Sequence, residues 1–163
     1  MKTFGKLLLI SFLAISLLNS CSKKDDDNTE PENNPAAAAL SCKVNGTAWT
    51  ASLAVVATNS GGILTVTGSD SNAKQCQVLI YNADGTGTYT LGGSLTNPST
   101  GRWTEGLNTS DTYTTSVGLG EGTVEITEIS DKSVKGTFQF TAKNTEGDGV
   151  TITEGTFNAD FQK

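Results

Sequence analysis

The sequence predicts an all-β fold, a single antiparallel β-sandwich or barrel of about 8–10 strands joined by meander hairpins. Apolar and polar residues alternate along most of the chain after Leu40, which is the period of a half-buried strand. Turn residues recur about every 8–12 residues, a spacing typical of sandwiches and barrels. Threonine fills many of the polar positions, and its polar, β-branched side chain suits a solvated sheet face.

The first two strands are predicted on the two sides of Asn45–Gly46. Both residues of this pair tolerate positive φ, so the pair favours a two-residue turn between paired strands. The apolar residues around it alternate with polar ones: Leu40, Cys42, Val44, Trp49, Ala51, Leu53 and Val55. The pattern therefore predicts a hairpin at the start of the domain.

The middle strands are predicted from shorter alternating segments. One strand is predicted at residues 64–66, where two apolar side chains stand among threonines. Asp84–Gly85 favours a turn, and the alternating apolar residues Tyr89 and Leu91 predict a strand after it. Between them, one face of a predicted strand is apolar: Cys76, Val78 and Ile80. We expect this face to point into the core, because successive side chains of a strand alternate between two faces.

The last strands carry two changes of phase. Apolar residues stand at the even positions 124 and 126 and then at the odd position 129. The same change occurs between the even positions 150 and 152 and the odd position 157, whereas residues 134–142 alternate without interruption. A shift of one residue turns the following side chains to the other face unless an extra residue restores it. We therefore predict bulges near Glu128 and at Glu154–Gly155, where glycine would supply the left-handed conformation. A break into two separate strands is the alternative.

The N-terminus resembles the leader of a bacterial lipoprotein. Lys2 and Lys6 precede an apolar segment, residues 7–18. As a helix this segment would span about 18 Å, which is too short for a hydrocarbon core of about 30 Å. A serine stands directly before Cys21, as in the lipobox, and the resemblance implies cleavage before Cys21 and diacylation of its thiol. An ordinary signal peptide followed by an incidental cysteine is the alternative.

The segment behind this cysteine carries a short charged sequence: Lys23, Lys24, Asp25, Asp26 and Asp27. An acidic run at this place resembles the surface-export signal of Bacteroidota lipoproteins, which implies an outer-membrane protein that faces the cell exterior. Attachment to the periplasmic leaflet is the alternative. The membrane is then a partner through the acyl chains, because a net-negative chain is repelled by anionic lipid surfaces.

The sequence divides into three parts. Residues 1–20 are the signal peptide, residues 21–39 are the lipidated cysteine with a disordered tether, and residues 40–163 are the all-β domain. The tether is rich in acidic residues, asparagine and proline, and such a segment buries too little apolar surface to fold. The remaining residues are a normal size for one domain.

The composition excludes several classes of function. The net charge is -6 at pH 7, which argues against a nucleic-acid partner because binding to phosphates needs a basic face. The sequence has no histidine, which excludes nucleophiles activated by histidine as well as histidine-ligated zinc. No catalytic set, cofactor site or metal site is predicted.

Two cysteines of the predicted domain, Cys42 and Cys76, both fall on core faces. An exported domain folds in oxidising surroundings, where two cysteines left after lipidation can form a disulfide. This bond would close a loop of about 35 residues and stabilise the fold by roughly 3–4 kcal/mol. Two buried free thiols are the alternative, because cysteine also packs well as a small apolar residue.

The least regular stretch, residues 92–120, contains the candidate ligand contacts. Arg102 and Trp103 are adjacent there, and Tyr113 follows further along. An arginine beside an aromatic ring can stack on a sugar or bind a carboxylate, and loops on a rigid sheet commonly carry binding residues. The alternative is that Trp103 and Tyr113 are core residues of two short strands, since aromatic residues dominate small β cores.

Five segments stand in order along the domain: Lys43–Gly46 with Trp49, Gly87–Leu91, Gly122–Thr127, Gly136–Phe138 and Val150–Phe157. Together they resemble a family of small Bacteroidota lipoproteins classed as a domain of unknown function. The resemblance covers nearly all of residues 40–163. It implies an exported, lipid-anchored all-β protein, and it brings no catalytic residues.

The expected function is that of a non-catalytic binding or accessory module, tethered by lipid, that presents its loops to a glycan, a lipid or an envelope protein. A structural or adhesive envelope protein without a small ligand is the alternative. A carboxylate-dependent hydrolase is the third hypothesis, and it needs two carboxylates that converge in one cleft. An exposed Trp103 would favour the binding module.

Overall fold

The all-β prediction is confirmed by the computed structural model, which describes residues 37–92 and 95–162. The predicted leader, Cys21 and the charged segment at 23–27 lie outside these residues. The described ranges contain eleven strands and a short 3₁₀ helix, Thr109–Asp111, and no helix in them is able to cross a membrane. The strands are β1 Ala39–Val44, β2 Thr47–Thr50, β3 Ala54–Ser60, β4 Ile63–Ser69, β5 Gln75–Tyr81, β6 Gly87–Leu91, β7 Thr100–Thr104, β8 Thr112–Thr114, β9 Glu121–Ile129, β10 Ser133–Lys143 and β11 Gly149–Asp160.

The described residues contain more strands than the sequence predicts. Two of them, β7 and β8, lie in the stretch at 92–120 that looks irregular in the sequence. They have five and three residues, and alternation over so few positions is too short to stand out from chance. The stretch is therefore part of the sheet as well as a source of loops.

The strands form one curled sheet, a half-barrel, in the order β2-β1-β11-β10-β8-β7-β5-β4-β3, and all strand pairs are antiparallel. Strand β10 pairs with β11 along one edge and with β9 and then β8 along the other, and β6 extends the β9 branch. A single parallel bridge between Ala57 and Phe161 joins β3 to the residue that follows β11. The curl thus brings β3, at one end of the strand order, next to the C-terminal end of β11.

The first hairpin has the turn that the sequence predicts. Asn45 and Gly46 have φ of 48° and 83°, so both adopt the left-handed conformation of a two-residue turn between β1 and β2. The Asn45 side chain also accepts a hydrogen bond from the Thr151 N–H at 2.9 Å, and the Asn45 N–H donates to the Thr151 carbonyl. The turn is therefore tied to β11 as well as to its own strands.

The predicted bulge near Glu128 is confirmed. Lys135 of β10 pairs with Glu128, whereas the next residue, Gly136, pairs with Ile126. Thr127 is the extra residue that restores the buried face of β9 after the change of phase.

The second predicted bulge, in β11, is also confirmed. Residues 138–140 of β10 face residues 152–155, so β11 carries one extra residue there. Glu154, with φ of 51°, takes the left-handed conformation, which corrects the expectation that Gly155 would supply it. The carboxylate of Glu154 lies 2.7 Å from the Lys43 ammonium of β1, an exposed ion pair at the bulge.

The segment at Asp84–Gly85 does not continue the predicted meander. Strand β5 pairs with β4 and β7, whereas β6 pairs with β9, so residues 82–86 carry the chain to another part of the sheet. The left-handed residue is Asn82, with φ of 55°, and the Tyr89 hydroxyl donates to the Gly85 carbonyl at 2.8 Å. A turn dipeptide reverses the chain locally and does not determine the partner of the next strand.

Phenylalanine rings fill the core because glycines stand opposite them. The rings of Phe138 and Phe140 have centroids 6.2 Å apart, and those of Phe138 and Phe157 6.3 Å apart. A Cβ atom on Gly155 would lie 2.5 Å from the Phe138 carbonyl oxygen and 2.6 Å from its ring. A Cβ atom on Gly101 would lie 2.6 Å from the Phe140 ring. The missing side chains therefore make room for the rings.

We predict that Gly155→Ala lowers the free energy of unfolding by about 1–3 kcal/mol, because the new methyl group overlaps Phe138 and the strands must separate. Gly149→Ala is the matched control on the same strand, since the nearest atom to its Cβ lies 3.9 Å away. Its effect should stay within about 0.5 kcal/mol. Urea unfolding of the two variants measures both values, and equal effects would contradict the packing argument.

Candidate functional site

A polar groove lies on the outer face of strands β6, β9, β10 and β11. Along β10 the buried side chains of Phe138 and Phe140 alternate with the exposed side chains of Gln139 and Thr141, so the strand presents polar groups outward. The neighbouring strands follow the same alternation. The outward groups define what we call the threonine groove: Thr90, Glu121, Thr123, Gln139, Thr141, Thr151 and Thr153.

The register of the strands arranges these groups in rows across the sheet. In one row, Thr90 pairs with Thr123, and Thr123 pairs with Gln139. The adjacent row is Glu121, Thr141 and Thr151. Neighbouring strands are about 4.8 Å apart, so each row presents polar groups at a nearly regular spacing.

The threonine groove has a volume of about 560 Å³. The residues beneath it are buried or lack a side chain: Leu91, Gly122, Phe140 and Ile152. A second hollow of about 660 Å³ shares Glu121, Thr141 and Thr151 with the groove and continues toward the loop at residues 118–120. The two hollows form an open trough that suits an extended ligand.

The chemistry of the groove is neutral and rich in hydrogen-bonding groups. Each threonine hydroxyl can donate one hydrogen bond and accept two, and the Gln139 amide both donates and accepts. Glu121 is the one charged residue that lines the described groove. Carbon atoms nevertheless supply more of the accessible lining than polar atoms do, so the hydroxyls stand among apolar patches. Such a surface matches a neutral ligand with many hydroxyl groups.

Two carboxylates lie on this face of β9, and one of them lines the threonine groove. Glu121 and Glu125 are both exposed on β9, but they stand four residues apart. At about 3.3 Å per residue their Cα atoms are about 13 Å apart along the strand. Glu125 does not line the groove. The groove therefore supplies a single carboxylate.

The predicted pair of Arg102 and Trp103 is divided between the two faces of β7. The Trp103 side chain is 1% exposed and packs in the core, whereas Arg102 is exposed on the other face. Tyr113 is the register partner of Trp103 and is half-buried against the core. The three residues do not converge on one ligand, because adjacent strand residues point to opposite faces. Trp103 is a buried core residue of β7, whereas Tyr113 of β8 is only partly buried against the core.

Trp103 packs edge-on against Trp49, with ring centroids 5.0 Å apart. The Trp103 indole N–H donates to the Glu105 carboxylate at 2.9 Å, and the Trp49 indole N–H donates to Asp70 Oδ2 at 2.8 Å. Both indole N–H groups thus have acceptors within the fold. Trp103 is therefore a core residue, so the exposure that would favour a binding module is not observed at this position, while Trp49 is half-buried at the edge of a hollow of about 310 Å³.

Asp70 is the buried carboxylate of this tryptophan cluster. Its Oδ1 accepts hydrogen bonds from the backbone N–H groups of Asn72 and Lys74, at 2.8 and 3.0 Å, in the turn between β4 and β5. The hydrogen bond from Trp49 lowers the pKa of Asp70 below its ordinary value, and burial opposes that shift. The carboxylate stays ionised at neutral pH and joins β2 to the β4–β5 turn.

An acidic group of side chains surrounds Tyr113. Burial raises the pKa of the Tyr113 phenol, and nearby carboxylates add to the shift: Glu105, Asp148, Asp111 and Glu146. The phenol is therefore neutral at physiological pH. Among the described residues, no three carboxylates or thiols converge in a way that would hold a metal ion.

Cys42 and Cys76 lie side by side in the core, as their predicted core faces require. They are 4% and 0% exposed, and their side chains interact directly as free thiols. The interaction with Cys76 lowers the pKa of Cys42, whereas burial raises the pKa of Cys76 well above its ordinary value. A bond between the two sulfurs stays a prediction.

The comparison with known families places the groove in a shared domain. A family described as domain of unknown function DUF6252 matches residues 35–159. The chain belongs to the DUF6252 family. The matched range contains all the strands that form the threonine groove, so the groove is part of the DUF6252 domain. No curated protein and no solved structure matches the chain.

Sequence reasoning misses the threonine groove of the DUF6252 domain. It assigns threonines such as Thr90, Thr141 and Thr151 to the solvated face, which is correct, but it does not bring them together. The available signal is the repetition of Thr-x-Thr, at 88–90 and 151–153. That signal lacks the strand order, which alone shows that these pairs are neighbours.

We predict that Asp70→Asn lowers the Tm at pH 7 and reduces the loss of Tm between pH 5 and pH 2. The folded pKa of Asp70 is lowered, so its contribution to stability is present above the unfolded value of about 3.9 and is lost as pH falls through the folded pKa. Thermal unfolding of both proteins over this pH range tests the prediction. Asp131→Asn, at an exposed turn carboxylate, is the control and should keep the wild-type acid response.

Proposed function

We propose that this protein is a lipid-anchored, non-catalytic binding module of the bacterial outer membrane that holds a neutral glycan in the threonine groove. The threonine groove is the observation that carries the proposal: an open surface of aligned hydroxyl and amide groups on a rigid sheet. A glycan offers matching hydroxyl groups at repeated intervals. The open trough admits a chain from the side, without an end having to enter a cavity.

The lining favours a glycan over a lipid. More of the accessible lining is carbon than oxygen or nitrogen, so the preference rests on the polar atoms that stand among the carbons: the threonine hydroxyls, the Gln139 amide and the Glu121 carboxylate. A hydrocarbon chain would leave these groups without hydrogen-bond partners. The threonine methyl groups can pack on the C–H faces of sugar rings, and the hydroxyls between them can bond to the sugar hydroxyls. Glu121 in the groove and Lys143 in the adjoining hollow leave the trough without net charge, which favours a neutral glycan over an acidic one.

The proposal of a non-catalytic module rests on the carboxylates. Hydrolysis of a glycan needs two carboxyl groups on opposite sides of the bond that is cleaved. Glu121 has no second carboxylate opposite it among the residues that line the described groove. Binding without turnover is the function that this set of side chains supports.

The proposed location rests on the N-terminal sequence. The short apolar segment at 7–18, followed by Cys21, supports lipidation, and the acidic run at 25–27 supports export to the cell surface of a Bacteroidota species. A surface position fits the groove, because a long glycan outside the cell reaches an open site without crossing the outer membrane.

A second function, self-association as a structural or adhesive envelope protein, is supported by exposed apolar side chains. Leu95 and Val117 are 91% and 56% exposed and line a hollow of about 200 Å³ together with Pro98. Leu119, on the same loop as Val117, is 37% exposed. Sedimentation of wild type and of Leu95→Ser/Val117→Ser tests this function: a complex that the substitutions dissociate would support it.

We predict that the purified protein binds a neutral polysaccharide and that Thr141→Val and Thr123→Val each weaken binding about 3- to 10-fold, because each removes one hydrogen bond and keeps the volume. The probes are a starch, a mixed-linkage β-glucan, a xylan and a mannan, and titration calorimetry measures the affinity. Palmitate serves as the lipid probe.

The matched control for these variants is Thr137→Val. Thr137 is exposed on β10 like Thr141 but does not line the groove, so its substitution should leave the affinity unchanged. The proposal fails if no polysaccharide of the panel binds, or if all three variants bind as tightly as the wild type. Binding of palmitate alone would replace the glycan with a lipid.

We predict that Cys21→Ser abolishes incorporation of an alkyne-labelled fatty acid, because the acyl chains need the thiol, whereas Ser22→Ala leaves it unchanged. Gel fluorescence after labelling of growing cells measures the incorporation. The triple variant Asp25→Asn/Asp26→Asn/Asp27→Asn should still incorporate the label. It should be protected from protease added to intact cells, because the acidic run that directs export to the surface is lost. A labelled Cys21→Ser protein would contradict the lipidation site.

A further inference from the structure

The contact between Cys42 and Cys76 joins parts of the sheet that are far apart in strand order. Cys42 lies on β1 and Cys76 on β5, and β11, β10, β8 and β7 stand between them in the sheet. Their side chains therefore meet across the core and not along a hydrogen-bonded strand pair. Both are buried, and the two thiols interact directly.

Each of these cysteines is also the register partner of a tryptophan. Cys42 pairs with Trp49, and Cys76 pairs with Trp103. The two indole rings touch edge to face, with their centroids 5.0 Å apart. The thiols and the indoles thus join the same two parts of the sheet. A covalent bond between the sulfurs would link β1 to β5, whose neighbours β2 and β7 the tryptophan contact already holds together.

We propose that Cys42 and Cys76 are an oxidation site and form an intramolecular disulfide across the core when the chain is exported. The oxidant is the disulfide of a thiol–disulfide oxidoreductase, the class of enzyme that introduces such bonds outside the cytoplasm. The proposal depends on export and on the contact of the two thiols. It does not depend on the glycan.

The exchange proceeds in two steps. The Cys42 thiolate attacks one sulfur of the oxidant's disulfide, which forms a mixed disulfide and releases the oxidant's other sulfur as a thiolate. The Cys76 thiolate then attacks the Sγ of Cys42 and displaces the oxidant. The protein loses two electrons and two protons, and the oxidant gains them as two thiols.

The pair is suited to this order of attack. Cys42 lies nearer the N-terminus than Cys76, so its thiolate is the first to meet the oxidant as the chain is exported. Both sulfurs are shielded in the folded domain. The mixed disulfide therefore forms before β1 closes over the core, while the chain is still folding.

Peptide mapping of the full chain tests the proposal directly. Protein isolated from the cell envelope is denatured with N-ethylmaleimide, which blocks free thiols, and is digested with trypsin without reductant. Cleavage after Lys24, Lys43, Lys74 and Arg102 places the two cysteines in separate peptides, 25–43 and 75–102, and leaves Cys21 in a third. We expect one linked species whose mass is the sum of the two peptides less two hydrogens.

Recovery of either peptide mainly as its maleimide adduct would overturn the proposal. A bond from Cys42 or Cys76 to Cys21 or to another molecule would also overturn it. Because Cys21 lies in a separate peptide, the result does not depend on its lipidation.

Thermal unfolding provides a second measurement. Reductant should lower the Tm of the wild type by about 10–15 °C, because the bond no longer restricts the unfolded chain. Cys42→Ala/Cys76→Ala is the control: its Tm should be the same with and without reductant. A wild-type Tm that reductant does not change would contradict the disulfide even if both proteins fold.

Discussion

The uninterrupted alternation of β10 is the constraint on which the rest of the sheet depends. Its side chains point alternately inward and outward over eleven residues, and it pairs with β11, β9 and β8. Its two long neighbours, β9 and β11, each have one residue more than β10 over the paired region, and in each strand that extra residue forms a bulge. The bulges keep the apolar residues of three strands on one face. They also keep the hydroxyls of the same strands together on the other face, so the core and the groove have a common origin.

Much of this fold could be predicted from the sequence because its signals are local. The Asn45–Gly46 turn is determined by the conformations of two residues, and the bulges follow from changes of phase within single strands. Strand partners are a different matter. Nothing near Asp84–Gly85 shows that β6 pairs with β9, because that choice depends on residues about 35 positions away. The strand order and the curl of the sheet therefore become visible only in the structure.

The candidate site was harder to predict, for the same reason. The groove combines residues of four strands, and none of them is unusual by itself. The residues that do look unusual in the sequence, Arg102 and Trp103, are separated by the alternation of β7, a short strand that the sequence offers only as an alternative. The cysteines were easier to interpret. Their core faces are a local property, and only their contact across the core needed the three-dimensional arrangement.

The place of β1 in the sheet has a mechanical consequence. A pull on the residues that precede the domain reaches it at Ala39, the first residue of β1. This strand is bonded on both sides, to β2 and to β11, and is not an edge that can be peeled away one bond at a time. From β11 the load passes to β10, on which the groove is built. If the proposed anchor and the proposed glycan site are both correct, a force between them would run through the adjacent strand pairs β1–β11 and β11–β10 and be shared by their hydrogen bonds.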